Sequence, residues 1–181
     1  IQAELEKIPF DVDKSGTERN DAMDLLAAIG APDCIPSFTR MIAYPTDDAR
    51  FRWAGAQKGV RCGRHQGIDV IADALPTTVS YERGMLLKYF WEEILKLGND
   101  KKIAEAALRL MDSPSHVSRV TGVEVTGMLR NASQYTKNIE KIRSLTGDKT
   151  KLKNWWGPQK DTPKGERKSD PTLGAVAAEV A

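Results

Sequence analysis

Apolar residues recur along most of this chain at the three- and four-residue spacing of amphipathic helices. Ala22, Leu25, Leu26 and Ile29 form the first stripe, and Gly30 follows at a position where helices often end. The same spacing predicts further helices over residues 32–45, 48–61, 68–75, 80–97, 101–111, 114–130 and 135–145. No stretch of the sequence alternates apolar and polar residues as a half-buried strand would. The sequence therefore predicts an all-α protein in which helices alternate with tight turns.

The boundaries between these helices carry residues that break or cap helices. Cys62-Gly63 is predicted to form a turn between two of them. Ser113-Pro114 supplies an N-cap followed by a proline, which suits the first turn because it lacks an N–H group. A last short helix is predicted to carry Leu152, Trp155 and Trp156.

One isoleucine marks the second helix of each predicted helix pair. Ile35, Ile68, Ile103 and Ile139 are separated by 33, 35 and 36 residues, and each is followed three positions later by an apolar residue. A single helix pair cannot bury its apolar face, whereas stacked pairs bury a shared core. The period therefore predicts a stack of about four helix pairs.

The repeat resembles that of HEAT-repeat proteins, which are armadillo-like α-solenoids. The resemblance lies in DKKIAEAALRLMD (100–112) followed by SPSHV (113–117), where a second helix ends on aspartate and a polar turn precedes a buried valine. The Leu-Thr-Gly turn at 145–147 and the tryptophan pair at 155–156 are similar to the end of many bacterial HEAT-repeat proteins. The resemblance implies a right-handed α-α superhelix over about residues 18–156. The units here are shorter than the usual length of about 40–47 residues.

Composition changes near the C-terminal end. Residues 157–181 contain Gly157-Pro158, Pro163 and many charged side chains, so this segment is expected to be disordered by composition, although residues 175–181 could form one short helical turn or an extended strip. We divide the chain into a helical repeat domain, residues 1–156, and an extended polar tail. If the tail is ordered, we expect another chain to hold it. The chain begins with Ile1, which we interpret as a processed or trimmed end, and nothing in it indicates a compartment.

Charge is distributed unevenly along the chain. The formal net charge is only +2, but residues 1–48 hold ten acidic and four basic side chains, and residues 137–168 hold ten basic and four acidic ones. The first segment is therefore at −6 and the second at +6. The low total disfavours nucleic acid as the partner, and the asymmetry can orient a partner or promote head-to-tail contacts, with two solvated surfaces as the competing interpretation. No apolar run approaches the roughly 18 residues of a membrane span.

No constellation of side chains indicates catalysis. His65 and His116 lie near helix starts without a second His or a Cys three or four residues later, so we predict surface or capping roles for them. The neighbouring carboxylates Glu92-Glu93 point in different directions on a helix, and we interpret them as solvated. Phosphate-binding and serine-nucleophile motifs do not occur. We therefore assign no catalytic, cofactor-binding or metal-binding residue.

The two cysteines, Cys34 and Cys62, are too few for a disulfide framework. Their places in adjacent repeats put them about 10 Å apart if ordinary helix packing distances apply. A disulfide needs Cα atoms within about 7 Å, so the sequence favours two buried free thiols.

The sequence predicts a non-enzymatic scaffold that binds other protein subunits in an oligomer or hetero-complex. The residues assigned to partner binding are Arg109, Lys137 and Lys141 on second helices, and Trp155, Trp156, Leu173 and Val176 near the C-terminal end. For the tryptophan pair, a cap over the last repeat is the competing interpretation. The alternative function is a HEAT-like enzyme, glycosylase-like or lyase-like, which would need a clustered carboxylate or cysteine in the groove.

Overall fold

The structure is a computed structural model. It describes the chain except residues 1, 31–32, 46–48, 76–80, 153–154, 156–162 and 167, and it describes the backbone alone at residues 49 and 81–87. Within the described residues the protein is all-helical, and an isolated antiparallel bridge joins Lys151 and Thr172. The predicted all-α class is confirmed. No helix in this part of the chain is both long and apolar enough to cross a membrane.

The described residues form nine α-helices and three 3-10 turns. The helices are α1 (Gln2–Leu5), α2 (Gly16–Ile29), α3 (Ile35–Ile42), α4 (Ala49–Asp73), α5 (Tyr81–Lys96), α6 (Asp100–Met111), α7 (His116–Met128), α8 (Thr136–Leu145) and α9 (Leu173–Val180). The 3-10 turns are Ile8–Phe10, Ala132–Gln134 and Lys164–Glu166. The helices predicted between residues 18 and 145 are present within a few residues of their expected bounds. Leu152 and Trp155 are not helical, and Trp156 lies outside the described residues.

Side-chain caps fix where several helices begin. At α2 the Ser15 hydroxyl accepts the backbone N–H of Glu18, and the Glu18 carboxylate accepts the backbone N–H of Ser15. At α7 the cap is Ser115, whose hydroxyl accepts the N–H of Ser118 at 3.3 Å. The predicted cap, Ser113, instead accepts the N–H of Ser115 at 3.2 Å, so α7 begins later than the Ser-Pro signal indicated.

The turn predicted at Cys62-Gly63 is a sharp reversal inside α4. Arg64 alone leaves the helical conformation, with φ 49° and ψ −139°. A Cβ placed on Gly59 would lie 2.6 Å from Cδ1 of Ile71, and one on Gly67 would lie 3.3 Å from the carbonyl oxygen of Gly59. In a straight helix residues 59 and 71 would be about 18 Å apart. The two halves of α4 therefore lie against each other and form one helix pair.

Three of the four isoleucines that recur at the repeat period lie in the main core, and the fourth does not. Ile35, Ile68 and Ile103 are buried in the main core, which extends from α2 to α7. Ile139 is only partly buried and packs against a second, smaller core. The stripe predicted on α2 is half exposed, because the side chains of Leu25 and Ile29 remain largely in solvent.

Helix contacts follow the order of the chain. Helix α3 packs against α4, α4 packs against α5 and α6, and α6 packs against α7 and α8. Helix α6 therefore contacts both α4 and α8, whereas α5 and α6, which are neighbours along the chain, have no extensive contact with each other among the residues described. At the N-terminal end, the rings of Phe10, Tyr44 and Phe51 lie within 5.6 Å of one another, and Arg40 covers Phe10. This aromatic cluster joins the first 3-10 turn to the end of α3 and the start of α4.

The C-terminal segment folds back on the last helix pair and is not extended over residues 173–180. Helix α9 contacts α7 and α8, and Thr172 caps its first turn. The backbone N–H of Leu173 donates to the carbonyl of Thr150 at 2.9 Å, and that of Gly174 donates to the carbonyl of Asp148 at 2.9 Å. Contacts inside this chain therefore order α9, in contrast to the expectation that a second chain holds it.

Cys34 and Cys62 form a disulfide bond, so the prediction of two free thiols is wrong. Their Cα atoms are 6.2 Å apart, within the range for an unstrained bridge, and both residues are buried. The expected distance of about 10 Å is the separation between the axes of two packed helices, and the Cα atoms that face each other can lie closer together. Glycines on α4 let α3 approach closely, since a Cβ on Gly59 would lie 3.0 Å from Cβ of Phe38 and one on Gly63 would lie 3.1 Å from Cδ1 of Ile35, and this approach brings Cys62 to the start of α3.

Replacing Gly122 by Ala is expected to separate α6 from α7. An added Cβ would lie 2.5 Å from the carbonyl oxygen of Ala107 and 2.8 Å from Cγ of Met111. The first of these atoms belongs to the backbone and cannot turn away, so we expect the free energy of unfolding to fall by about 1–3 kcal/mol. Urea unfolding measures it. The control is Gly147→Ala, where nothing lies within 4 Å of the new Cβ. Equal stability of both variants would contradict the close α6–α7 contact.

Candidate functional site

The outer faces of α3, of α4 after Arg64, of α6 and of α8 form a polar surface, which we call the second-helix surface. Ion pairs join consecutive helices across it. Nε of Arg109 on α6 lies 2.6 Å from Oδ2 of Asp69 on α4, and Nζ of Lys141 on α8 lies 2.5 Å from Oδ1 of Asp112. Two of the residues predicted to bind a partner, Arg109 and Lys141, are therefore already paired within the chain.

Lys137, the third predicted residue on this surface, is exposed. It borders a cavity of about 370 Å³ between α6 and α8, together with Lys101, Glu105 and Tyr135. Asn138 lies behind the cavity, where its side chain donates to the carbonyl of Ala104 at 2.9 Å and links the two helices. Lys137 is thus displayed on a fixed part of the surface.

The residues near the C-terminal end that are predicted to bind a partner differ in how far they are buried. Leu173 and Val176 belong to the second core, with 0% and 7% exposure, so they leave no apolar surface for a partner. Trp155 is half-buried against the same core, and its backbone N–H donates to Oδ1 of Asp170 at 2.9 Å. This placement agrees with the terminal-cap interpretation of Trp155. Trp156 lies outside the described residues, and its role stays a prediction.

A larger cavity, of about 630 Å³, opens beside the reversal of α4, and we call it the kink cavity. Its lining residues are Ala27, Ala28, Gly30, Arg61, Cys62, Gly63, Arg64, His65, Gln66 and Lys102. The volume lies within the range of small-molecule sites. The lining contains two arginines, a lysine and a histidine, and no Asp or Glu is among the described residues that line it.

His65 ties one wall of the kink cavity to the segment between α5 and α6. Its Nε2 lies 2.9 Å from the carbonyl oxygen of Gly98, close to the end of α5. Because a carbonyl can only accept, Nε2 carries the hydrogen in this contact. This hydrogen bond to a carbonyl group near a helix end is a capping role of the type that the sequence predicts for His65. It holds the chain reversal of α4 against the link between α5 and α6.

Beneath the neighbouring helices lies a buried carboxylate, Glu93, whose side chain is 5% exposed. Oε2 accepts from Nε of Arg61 at 2.9 Å, while Oε1 accepts from Lys96 at 2.7 Å and from Gln57 at 3.1 Å. Burial raises the pKa of the Glu93 carboxyl, but hydrogen bonds from Arg61, Lys96 and Gln57 outweigh burial and lower it to about 2. Glu93 is not solvated as predicted, because α5 places it against α4.

The same network continues from α4 to α2. Nζ of Lys58, a residue that is 5% exposed, lies 2.6 Å from Oδ1 of Asp24 and donates to Oδ1 of Asn20 at 3.0 Å. A guanidinium nitrogen of Arg61 lies 3.9 Å from the same Asp24 oxygen. Opposite charges thus neutralise one another across three helices. The arrangement positions Arg61 at the edge of the kink cavity.

The charged side chains around the kink cavity can bind a ligand, but the described residues offer few groups suited to catalysis. No group of three or more His, Cys, Asp or Glu side chains within the described ranges could hold a metal ion. Glu93 is held ionised by its partners, which suits a structural carboxylate better than a general acid. The kink cavity is not predicted by the pattern of apolar residues. The sequence feature that could have indicated the cavity is the spacing of Gly59, Gly63 and Gly67, because glycines four residues apart allow helices to approach closely.

No model of a protein family matches the chain, and neither a curated protein nor a solved structure matches it at a significant level. What the chain does must therefore be inferred from its own residues and geometry.

Proposed function

We propose that this chain is a HEAT-type α-solenoid, a right-handed superhelix of about four helix pairs, that acts as a non-enzymatic scaffold for another protein. The observation that carries the proposal is the second-helix surface. Its helices contact one another in chain order, and ion pairs between Asp69 and Arg109 and between Lys141 and Asp112 fix their spacing. Side chains that are already held by ion pairs lose less conformational freedom when a partner binds, which favours affinity.

The C-terminal end of the helix stack supports the same proposal. Solenoids need terminal units with a covered apolar face to remain soluble. Here α9 covers the apolar residues that α7 and α8 contribute to the second core, as a terminal unit would. The exposed charges of the second-helix surface are the proposed place for a partner.

The disulfide supports a compartment for this scaffold. Structural disulfides persist in oxidising environments and are rare in reducing ones. Because Cys34 and Cys62 are both buried and bonded, we propose that the chain works in an oxidising compartment.

The test is affinity purification of the tagged chain from its native cells, followed by native mass spectrometry. We expect a stoichiometric protein partner, and we expect Lys137→Glu to reduce its recovery at least about tenfold, since rim charge reversal weakens association. Lys88→Glu is the matched control, because Lys88 is an exposed lysine on α5, away from the second-helix surface. Recovery of only the 20.0 kDa chain would contradict the scaffold function. Equal partner loss in both variants would contradict the assigned surface.

A further inference from the structure

The kink cavity carries positive charge that no side chain in the described part of the chain neutralises. Arg64 and Lys102 are exposed, and neither side chain forms an ion pair with another described residue. Arg61 differs from them, because Glu93 accepts two of its hydrogen bonds. The cavity is therefore a concave site in which two free cations from different helices, α4 and α6, face shared space. Concentrated charge of one sign in a concave site attracts a ligand of the opposite sign.

The backbone of Arg64 is unfavourable for an arginine. Its φ of 49° with ψ −139° lies in a region that glycine adopts readily and other residues rarely adopt. Gly63 precedes it directly, so the chain uses glycine at this reversal but not at the position whose backbone most needs one. No packing or hydrogen bond described for the Arg64 side chain accounts for arginine there. Strained residues of this kind cluster where a side chain serves a ligand.

The walls of the kink cavity are held rigidly. The disulfide ties Cys62 to Cys34 at the start of α3, and His65 binds the carbonyl of Gly98 between α5 and α6. Both attachments lie within two residues of Arg64. A site that is already ordered loses little conformational entropy when a ligand binds.

We propose that the kink cavity is a binding site for an anionic ligand, whose phosphate or carboxylate groups are held by Arg64 and Lys102. A guanidinium offers paired N–H donors that match the oxygens of either group, and an ammonium adds a second point charge. The volume of about 630 Å³ accommodates a small molecule with more than one such group. Anion binding at this site does not require a protein partner.

Calorimetric titration of the intact protein tests the site, with pyrophosphate as the phosphate probe and citrate as the carboxylate probe. We expect at least one probe to bind with a Kd below about 1 mM at low ionic strength. Arg64→Gly and Lys102→Gln should each weaken it about tenfold. Lys101→Gln is the matched control, because Lys101 is the exposed neighbour of Lys102 and borders the other cavity, between α6 and α8. It should change the Kd less than twofold.

Arg64→Gly is expected to fold, since glycine suits this backbone, and its thermal midpoint should be no lower than that of the wild type. Preference for pyrophosphate would identify a phosphate-bearing ligand, and preference for citrate a polycarboxylate. Absence of binding by both probes overturns the site, as does equal weakening by Lys101→Gln, which would indicate diffuse charge.

Nuclear magnetic resonance of the imidazole groups gives a second readout. The chain has two histidines, and His116→Gln identifies the His65 signal. Saturating probe should shift the His65 ring protons, because His65 lines the kink cavity, and should leave the signal of His116 in place. Movement of the His116 signal alone would place the anion elsewhere and overturn the assignment.

Discussion

Removing the disulfide between Cys34 and Cys62 is expected to lower the free energy of unfolding by about 3–4 kcal/mol. The bond joins residues 28 positions apart, and the chain entropy that a closed loop of this length removes from the unfolded state gives this magnitude. It also attaches the start of α3 to the reversal of α4. Urea unfolding with and without a reductant measures the loss.

The double variant Cys34→Ala, Cys62→Ala serves as the control for the reductant itself. It should unfold close to the reduced wild type, slightly below it because two buried sulfur atoms are missing, and it should not respond to the reductant. Alkylation of the unreduced, denatured protein should add no mass. Two added alkyl groups before reduction would contradict the bond.

Glu93→Gln is expected to cost about 3 kcal/mol at pH 7, because the pKa of Glu93 lies at about 2 in the folded protein against an ordinary value of 4.5. The neutral amide loses the charge that Arg61 and Lys96 stabilise, and its NH₂ group faces their donors. Both cations are partly exposed, so they can turn to water, which keeps the loss below that of a fully buried pair. Urea unfolding at fixed pH measures it.

The pH dependence of this loss distinguishes the carboxylate from general destabilisation. A lowered folded-state pKa contributes stability that is complete above pH 4.5 and disappears as the pH falls towards 2. The gap between wild type and Glu93→Gln should therefore be constant near neutrality and fall to about half by pH 3. Glu92→Gln, at the exposed neighbouring carboxylate, should show almost no gap at any pH. A gap for Glu93→Gln that persists unchanged at pH 3 would contradict the ion-pair explanation.

The pattern of apolar residues predicted the helices well because their main determinant is local. Ile35, Ile68 and Ile103 recur at the repeat period and are buried, as a shared core requires. Helix α9 could not be predicted in the same way. Its apolar residues include small alanines, and its burial depends on α7 and α8, which are distant in sequence. Tertiary contacts of this kind override local composition.

The candidate sites depend on how the helices are placed relative to one another, and the spacing of residues along the sequence does not reveal this placement. The charged residue pairs Asp69–Arg109 and Asp112–Lys141 require the relative placement of two helices, and the sequence supplied only the exposed side chains. From the sequence alone, both Glu92 and Glu93 are interpreted as solvated carboxylates. Adjacent residues point in different directions on a helix, so α5 exposes Glu92 and buries Glu93. The kink cavity exists because one residue, Arg64, reverses the chain, and no pattern of residue types marks a positive φ at an arginine.

The late position of α9 has a consequence for how the protein is made. The second core takes Met111, Val120 and Val123 from α6 and α7, but it is complete only when Leu173 and Val176 arrive. During synthesis, α7 and α8 are therefore complete at Leu145 with an open apolar face, and Leu173 follows only 28 residues later. Over that interval we expect the nascent chain to expose apolar surface of the kind that chaperones bind, whereas the earlier helices can already close their core.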